Sequence, residues 1–223
     1  MIDYNFLSFH ESDFSERYEK LGEKFHSFRI SLNLFHQRKG RIIVETGCQR
    51  EVADWGAGQS TKIFGEYVSK YDAFLYTVDI NLENLKIAEQ ISGNNNIEYV
   101  NMDSVEFLKN FTQNIDLLYL DSFDFPLHEL FARFGEDMFK MSFTEVVSKS
   151  QDILLPCQIH CLNELVSSED KLHENSILLI DDNSQVGGGK PRLARDWLFS
   201  NGWEMIMDWE QTLWHRKTQR YSK

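Results

Sequence analysis

Five residues that close short apolar runs carry the first hint of chemistry in this chain: Glu45, Asp79, Asn101, Asp121 and Asp181. Runs such as Arg41-Ile-Ile-Val44 and Ile115-Asp-Leu-Leu-Tyr-Leu120 are of the kind that makes a buried strand. A carboxylate is costly to bury without a partner, so acids repeated along one sheet edge point to a polar ligand there. Glycines stand beside the first of them. Thr46-Gly47-Cys48 follows Glu45, and Gly56-Ala57-Gly58-Gln59-Ser60-Thr61 comes some ten residues later. Glycine lacks a Cβ and tolerates positive φ, so the backbone can approach a ligand closely. A helix opening at Ser60 would add unpaired N–H groups and the positive end of its dipole. This is how a nucleotide-type pocket is built. Asp79, about twenty residues past the glycines, stands where an acid binds ribose hydroxyls.

Other side chains could act nearby. His160 lies in Gln158-Ile-His-Cys-Leu162, and imidazole is a natural general base for a hydroxyl or amine. A helix histidine bonded to a backbone carbonyl would look the same. Cys157, His160 and Cys161 lack the second ligand pair a zinc site needs. Lys190 and Arg192 could bind an anionic group or sit in a solvated loop, and Asp124 is a further candidate contact. In the stretch 48–55, Arg50 and Trp55 could cover a bound ligand or face solvent.

Elements must position these groups. Apolar residues at Tyr18, Leu21, Phe25, Phe28, Leu32 and Phe35, with Phe14 before them, alternate spacings of three and four, one face of a helix. Asp13 and Glu16 resemble a capping box, Gly22 is an interior weak point and Gly40 suits the exit. Strands are predicted at 41–45, 74–79, 97–101, 115–121 and 176–181, and helices at about 60–70, 82–91, 104–111, 158–168 and 192–200. Such alternation makes a parallel sheet with right-handed crossovers. Strands at 203–208 and 211–215 are too close for a crossover, so the last pair is antiparallel. The fold class is α/β: a Rossmann-like doubly wound sheet, mostly parallel, ending in an antiparallel hairpin. The segment 122–151 is too long for an ordinary loop and rich in phenylalanine, either a wall of the binding site or an ornament burying its own aromatics.

Composition narrows the partners. The net charge is −12, with 23 basic against 35 acidic residues, which disfavours nucleic acid or an anionic membrane surface. The three cysteines, Cys48, Cys157 and Cys161, have no framework spacing and read as free thiols of a reducing compartment. With no basic n-region at the start and no apolar run of membrane length, the expectation is a cytoplasmic protein. Its 223 residues read as a single domain, 1–223, with 1–40 as a helical cap and 122–151 as an insertion beside the site.

Taken together, Glu45-Thr-Gly47, Gly56-Ala-Gly58-Gln-Ser-Thr61, Thr77-Val-Asp79, Asn101-Met-Asp-Ser104, Leu118-Tyr-Leu-Asp-Ser122 and Leu178-Leu-Ile-Asp-Asp-Asn183 resemble a class I S-adenosylmethionine-dependent methyltransferase, over about 41–215. The resemblance implies a seven-stranded sheet and S-adenosylmethionine as cofactor. Glu45 and Gly47 would line its methionine moiety. Gly58, Gln59, Ser60 and Thr61 would sit at the helix start, and Asp79 would hold the ribose. Asp103 and Ser104 would flank the adenine, with Asp121 also on the cofactor. The glycine loop departs from the usual compact form, since 48–55 is inserted within it. Asp121, Asp182 and Asn183 resemble the set that binds Mg2+ in catechol O-methyltransferase-like enzymes, where the metal fixes and acidifies the acceptor hydroxyl; Asp181-Asp182 also occurs in members without metal. On this resemblance the chain methylates a small-molecule acceptor, at a hydroxyl oxygen, with His160, Asp121 and Asp182 as the catalytic residues, with or without Mg2+. The alternatives are an NAD-dependent oxidoreductase, which needs a second parallel half, and a catalytically inactive cofactor-binding protein. Aromatics of the insertion leave a homo-oligomer contact open beside the pocket wall.

Overall fold

The computed structural model describes residues 17–53, 55 and 59–216. A 3-10 turn at Glu19–Leu21 leads into α1 (Glu23–Gln37), followed by β1 (Ile42–Thr46), α2 (Ser60–Lys70), β2 (Phe74–Asp79), α3 (Leu82–Ser92), β3 (Ile97–Asn101), α4 (Ser104–Asn110) and β4 (Ile115–Leu120). The second half continues with α5 (Leu127–Phe134), α6 (Phe143–Lys149), α7 (Gln151–Ser168), β5 (Leu172–Ile180), α8 (Arg192–Ser200), β6 (Trp203–Asp208) and β7 (Thr212–Arg216). Among the described residues the strands form one seven-stranded sheet in the order β3-β2-β1-β4-β5-β7-β6. Pairing is parallel from β3 to β5, while β7 runs antiparallel to both β5 and β6. This is the Rossmann-like sheet with a C-terminal hairpin that the sequence predicts. Among the described residues it leaves no second parallel half of the kind a dinucleotide oxidoreductase needs.

Alternation along the central strands explains why helices cover both faces. Leu117, Tyr119, Ile177 and Leu179 pack with Phe28, Leu32 and Phe35 of α1 and Phe64 of α2. Their neighbours Leu118, Leu120, Leu178 and Ile180 pack on the other face with Leu165 of α7, Leu198 of α8 and Trp214. Successive side chains of a strand point to opposite faces, so only near-continuous apolar runs can feed two cores at once.

Some boundaries differ from expectation. Gly22 does break the N-terminal helix, at φ +61; the capping box at Asp13 and Glu16, and Phe14 of the stripe, lie outside the described residues. At the exit Lys39, not Gly40, takes the positive φ, 57°. Gly40 instead abuts the Phe35 ring, where an added Cβ would come within 2.5 Å of ring carbons. Helix α7 starts at Gln151 and carries Pro156 inside it. The proline costs one backbone hydrogen bond but does not end the helix, which begins ahead of the expected 158. Strand β5 starts at Leu172, its polar first half joined to the rest by a register shift against β4. The segment after β4 folds as α5, a 3-10 stretch at Gly135–Lys140 and α6, the last opened by a Ser142–Glu145 capping box. It has a small core of its own, Leu130, Met138, Val146 and Leu154, while Phe123, Phe131, Phe139 and Phe143 stay exposed.

Candidate active site

β1 lies between β2 and β4, where the strand order reverses, so a crevice opens at the carboxyl ends of these strands. The cavity there has a volume of about 260 Å³ and is lined by Gly47, Gln59, Ser60, Asp79, Asp121 and Ser122, with Arg50 and Asp124 at its mouth. Gly47 is obligatory. Its φ is +78°, and a Cβ would lie 2.4 Å from the Asp121 carbonyl oxygen. Only glycine lets the exits of β1 and β4 run this close.

Asp79 ends β2 with its carboxylate fixed by local donors. It accepts from the Asn81 backbone N–H at 2.7 Å, the Cys48 N–H at 3.3 Å and Asn84 Nδ2 at 3.3 Å. Gln59, which precedes α2, has φ +47 and is 1% exposed. Neither polar atom of its amide has a partner among the described residues, although it lines the cavity. A ligand in the cavity would supply the partners this buried amide needs. Gly58, just before it, lies outside the described residues.

Glu45 and Thr61 form the floor rather than the wall. Glu45 is fully buried; its Oε2 accepts from Thr61 Oγ1 at 2.8 Å and Thr77 Oγ1 at 2.7 Å. Thr61 in turn accepts from the Gln49 backbone N–H at 2.9 Å, tying the inserted loop to the start of α2. Burial, only partly offset by the hydroxyls of Ser60, Thr77 and Thr61, pushes the Glu45 carboxyl up to about 7. The resemblance sets Glu45 against the methionine moiety; here its buried side chain is not among the residues that line the cavity.

Strands β4 and β5 end in a buried charge network. Lys190 Nζ, 1% exposed, lies 2.8 Å from Asp121 Oδ1 and 3.2 Å from Asp182 Oδ2. Lys24, reaching over from α1, lies 2.9 Å from Asp181 Oδ2. Tyr119 donates to the same oxygen at 2.8 Å and is within 3.2 Å of Asp121 Oδ2, and Gln211 Nε2 donates to the Tyr119 hydroxyl at 3.1 Å. Burial opposes charge on both lysines, but the three carboxylates outweigh it and keep both ammonium groups protonated. Asp121 is pushed well above the usual carboxylate range, by burial first and then by Asp181 and Asp182, against the pull of Lys190. Asp181 goes the other way: burial is overcome by Lys24 and Lys190, which hold it ionised. Lys24, Tyr119 and Gln211 escaped the sequence reading. One signal was available, a lysine one turn before Phe28 on the stripe that α1 buries.

The set Asp121, Asp182 and Asn183 does not fit Mg2+. The Lys190 ammonium already lies between the two carboxylates, and the Asn183 amide is spent elsewhere. Asn183 Oδ1 accepts from Arg195 at 2.8 Å, and its Nδ2 donates to Asp208 Oδ1 at 2.8 Å and to the Trp209 carbonyl. Among the described residues no group of three or more His, Cys, Asp or Glu side chains is arranged to hold a metal ion.

His160 is held apart from these acids. Its Nε2 is 3.0 Å from both Ser104 Oγ and Ser122 Oγ and 3.8 Å from Glu164 Oε1. It lines no part of the cavity and makes no hydrogen bond to Asp121 or Asp182. Asp103 caps α4 by accepting from the Glu106 N–H at 3.0 Å. Asp103 and Ser104 stand at the end of β3, beside the cavity but not on its wall. The three cysteines are free and buried.

The cavity wall carries Glu51 and Asp79 together with two acids that have cationic partners, Asp124 with Arg50 at 2.8 Å and Asp121 with Lys190. Such a wall favours a cationic ligand and repels a pyrophosphate.

No protein-family model matches the sequence, and no curated protein matches it. Solved structures do match in fold. The methyltransferase MycE, in complex with Mg, SAH and mycinamycin VI, superposes with a TM-score of 0.57 at 11% identity over 92% of this chain and 53% of its own. The chain therefore spans about half of MycE. The O-methyltransferase NovP gives a TM-score of 0.56 at 10% identity, covering 86% of this chain and 78% of NovP. An rRNA methylase from Streptococcus thermophilus gives 0.50 at 10% identity, covering 85% and 95%. The shared feature is the methyltransferase fold. It serves small-molecule and RNA acceptors alike, so the fold by itself does not uphold the expectation that nucleic acid is excluded. No helix among the described residues is long and apolar enough to cross a membrane.

Proposed function

We propose that this protein is an S-adenosylmethionine-dependent methyltransferase acting on a small-molecule hydroxyl. The observation that carries this reading is the acidic crevice at the ends of β1, β2 and β4, with the Asp79 carboxylate fixed on its wall and the unpaired Gln59 amide beside it. A cofactor with a sulfonium, an ammonium and a ribose matches that wall; a dinucleotide pyrophosphate does not.

In this reading Asp79 accepts hydrogen bonds from the ribose hydroxyls and the Gln59 amide meets the amino-acid end. Asp103 and Ser104 stand on the adenine side. Gly47 keeps the floor low enough for the ligand to lie against the backbone. When bound, the cofactor supplies an electrophilic methyl group on a positively charged sulfur. Asp121 opens on the cavity and has a raised proton affinity, so it takes the proton from the acceptor hydroxyl, with Asp182 beside it. His160 is a positioning residue that pins Ser104 and Ser122, and not the base. The net charge of −12 supports a small acceptor over RNA, which needs a basic face. The mechanism is alignment and deprotonation.

A thermal-shift titration tests the cofactor. A ligand at a hundredfold its Kd adds about 2.7 kcal/mol, which for a chain of this size is a rise of roughly 5–10 °C. S-Adenosylhomocysteine is expected to produce that rise and NAD none; the reverse pattern would refute the assignment.

A further inference from the structure

We propose that Lys190 is the resident cation of the strand-end acids, standing where a divalent metal would otherwise sit, so that the site works without metal and is closed to it. This rests on the methyltransferase reading for its catalytic meaning but on geometry alone for its placement. Asp121 and Asp182 come from the ends of β4 and β5 and converge on one point. That point holds Lys190 Nζ, at 2.8 Å and 3.2 Å.

The loop is built to deliver the ammonium there. Asp182 adopts φ 54°, turning the chain sharply after β5. Gly189, at φ +64°, comes so close to the same turn that a Cβ would lie 2.1 Å from the Asp182 carbonyl oxygen. The Lys190 N–H then donates to that oxygen at 3.1 Å, and Gln158 Nε2 of α7 donates to the Gly189 carbonyl at 3.0 Å. Gly187-Gly-Gly189 is thus a fold-back that carries a lysine into the core. Charge agrees with the geometry. Asp121, Asp181 and Asp182 face the ammonium groups of Lys190 and Lys24, so the acids already hold cations of the chain's own. A divalent ion would have to displace an ammonium held by two carboxylates and would find the Asn183 amide already bonded to Arg195 and Asp208.

The test uses Mn2+, a paramagnetic stand-in for Mg2+, titrated into the full chain and read by electron paramagnetic resonance. The wild-type protein is expected to bind none at this site, and its affinity for S-adenosylhomocysteine is expected to be the same after chelation. Lys190→Ala uncovers Asp121 and Asp182 and is expected to take up one Mn2+, which Asp121→Asn added to it abolishes. Should Lys190→Ala fail to fold, Lys190→Gln, which fills the space without charge, carries the same comparison. Mn2+ bound by the wild type and lost in Asp121→Asn would overturn the proposal. So would a folded Lys190 variant that binds no Mn2+. Neither readout requires methyl transfer, so failure of the cofactor assignment would show separately, in the S-adenosylhomocysteine titration.

Discussion

Glu45→Gln should remove a pH dependence of stability that the wild-type protein carries. Glu45 is fully buried, two threonine hydroxyls meet its Oε2, and its Oε1 has no partner among the described residues. Its carboxyl is raised from 4.5 to about 7 in the folded chain. Between these values the folded state holds a proton that the unfolded state has released. Unfolding free energy therefore falls as pH rises through that window, is level below it, and has lost the whole contribution above it. The difference of about 2.5 pH units corresponds to about 3 kcal/mol, at 1.36 kcal/mol per unit. Glutamine keeps an oxygen for Thr61 and Thr77 and has no proton to lose, so its stability relative to wild type should improve by about that amount between pH 4.5 and pH 8. In melting temperature this is roughly 6–12 °C. Urea or thermal unfolding of both proteins across that range measures it, since every other titrating group cancels in the difference. Parallel curves for the two proteins would refute the reasoning, because they would mean that Glu45 ionises as readily in the folded chain as in the unfolded one.

Further outcomes follow from the site. Asp121→Asn should lower turnover by about 10²–10⁴-fold, the usual worth of a positioned base, while S-adenosylhomocysteine still binds; an unchanged rate would remove Asp121 from the chemistry. His160→Ala should cost about 1–3 kcal/mol of stability by leaving the Ser104 hydroxyl without its partner, while Ser122 keeps its bond to Glu164, with turnover little changed once the protein is folded and stability recovered in His160→Gln. A rate collapse with no loss of stability, unrescued by glutamine, would restore His160 as the base.

What could be read from the chain was whatever local pattern determines. Alternation of apolar runs with amphipathic stretches dictates the sheet, and the close spacing of 203–208 and 211–215 dictates its antiparallel end. Gly47, Gln59, Asp79 and Asp121 were recognisable because each ends or opens an element, and element ends converge at one edge of a parallel sheet. The charge network was not legible, because it joins distant positions: Lys24 meets Asp181 across 157 residues and Lys190 meets Asp121 across 69. Asp182-Asn183 misled for a related reason. Ligand-type residues in sequence say nothing of where the side chains turn, and here Arg195 and Asp208, brought close by α8 and β6, claim the asparagine. Helix α7 extends beyond the expected 158–168 because packing against α4 and α8 holds it together around Pro156.

The central claim is that the acidic crevice binds S-adenosylmethionine through Asp79. Isothermal titration of S-adenosylhomocysteine into the wild-type chain and into Asp79→Ala tests it directly. The account predicts saturable one-to-one binding to the wild type and at least about tenfold weaker binding to the variant, since loss of a charged hydrogen-bond acceptor costs about 1.5–3 kcal/mol. The free variant should melt close to wild type. No binding to the wild type, or equal affinity in a folded Asp79→Ala, would contradict it.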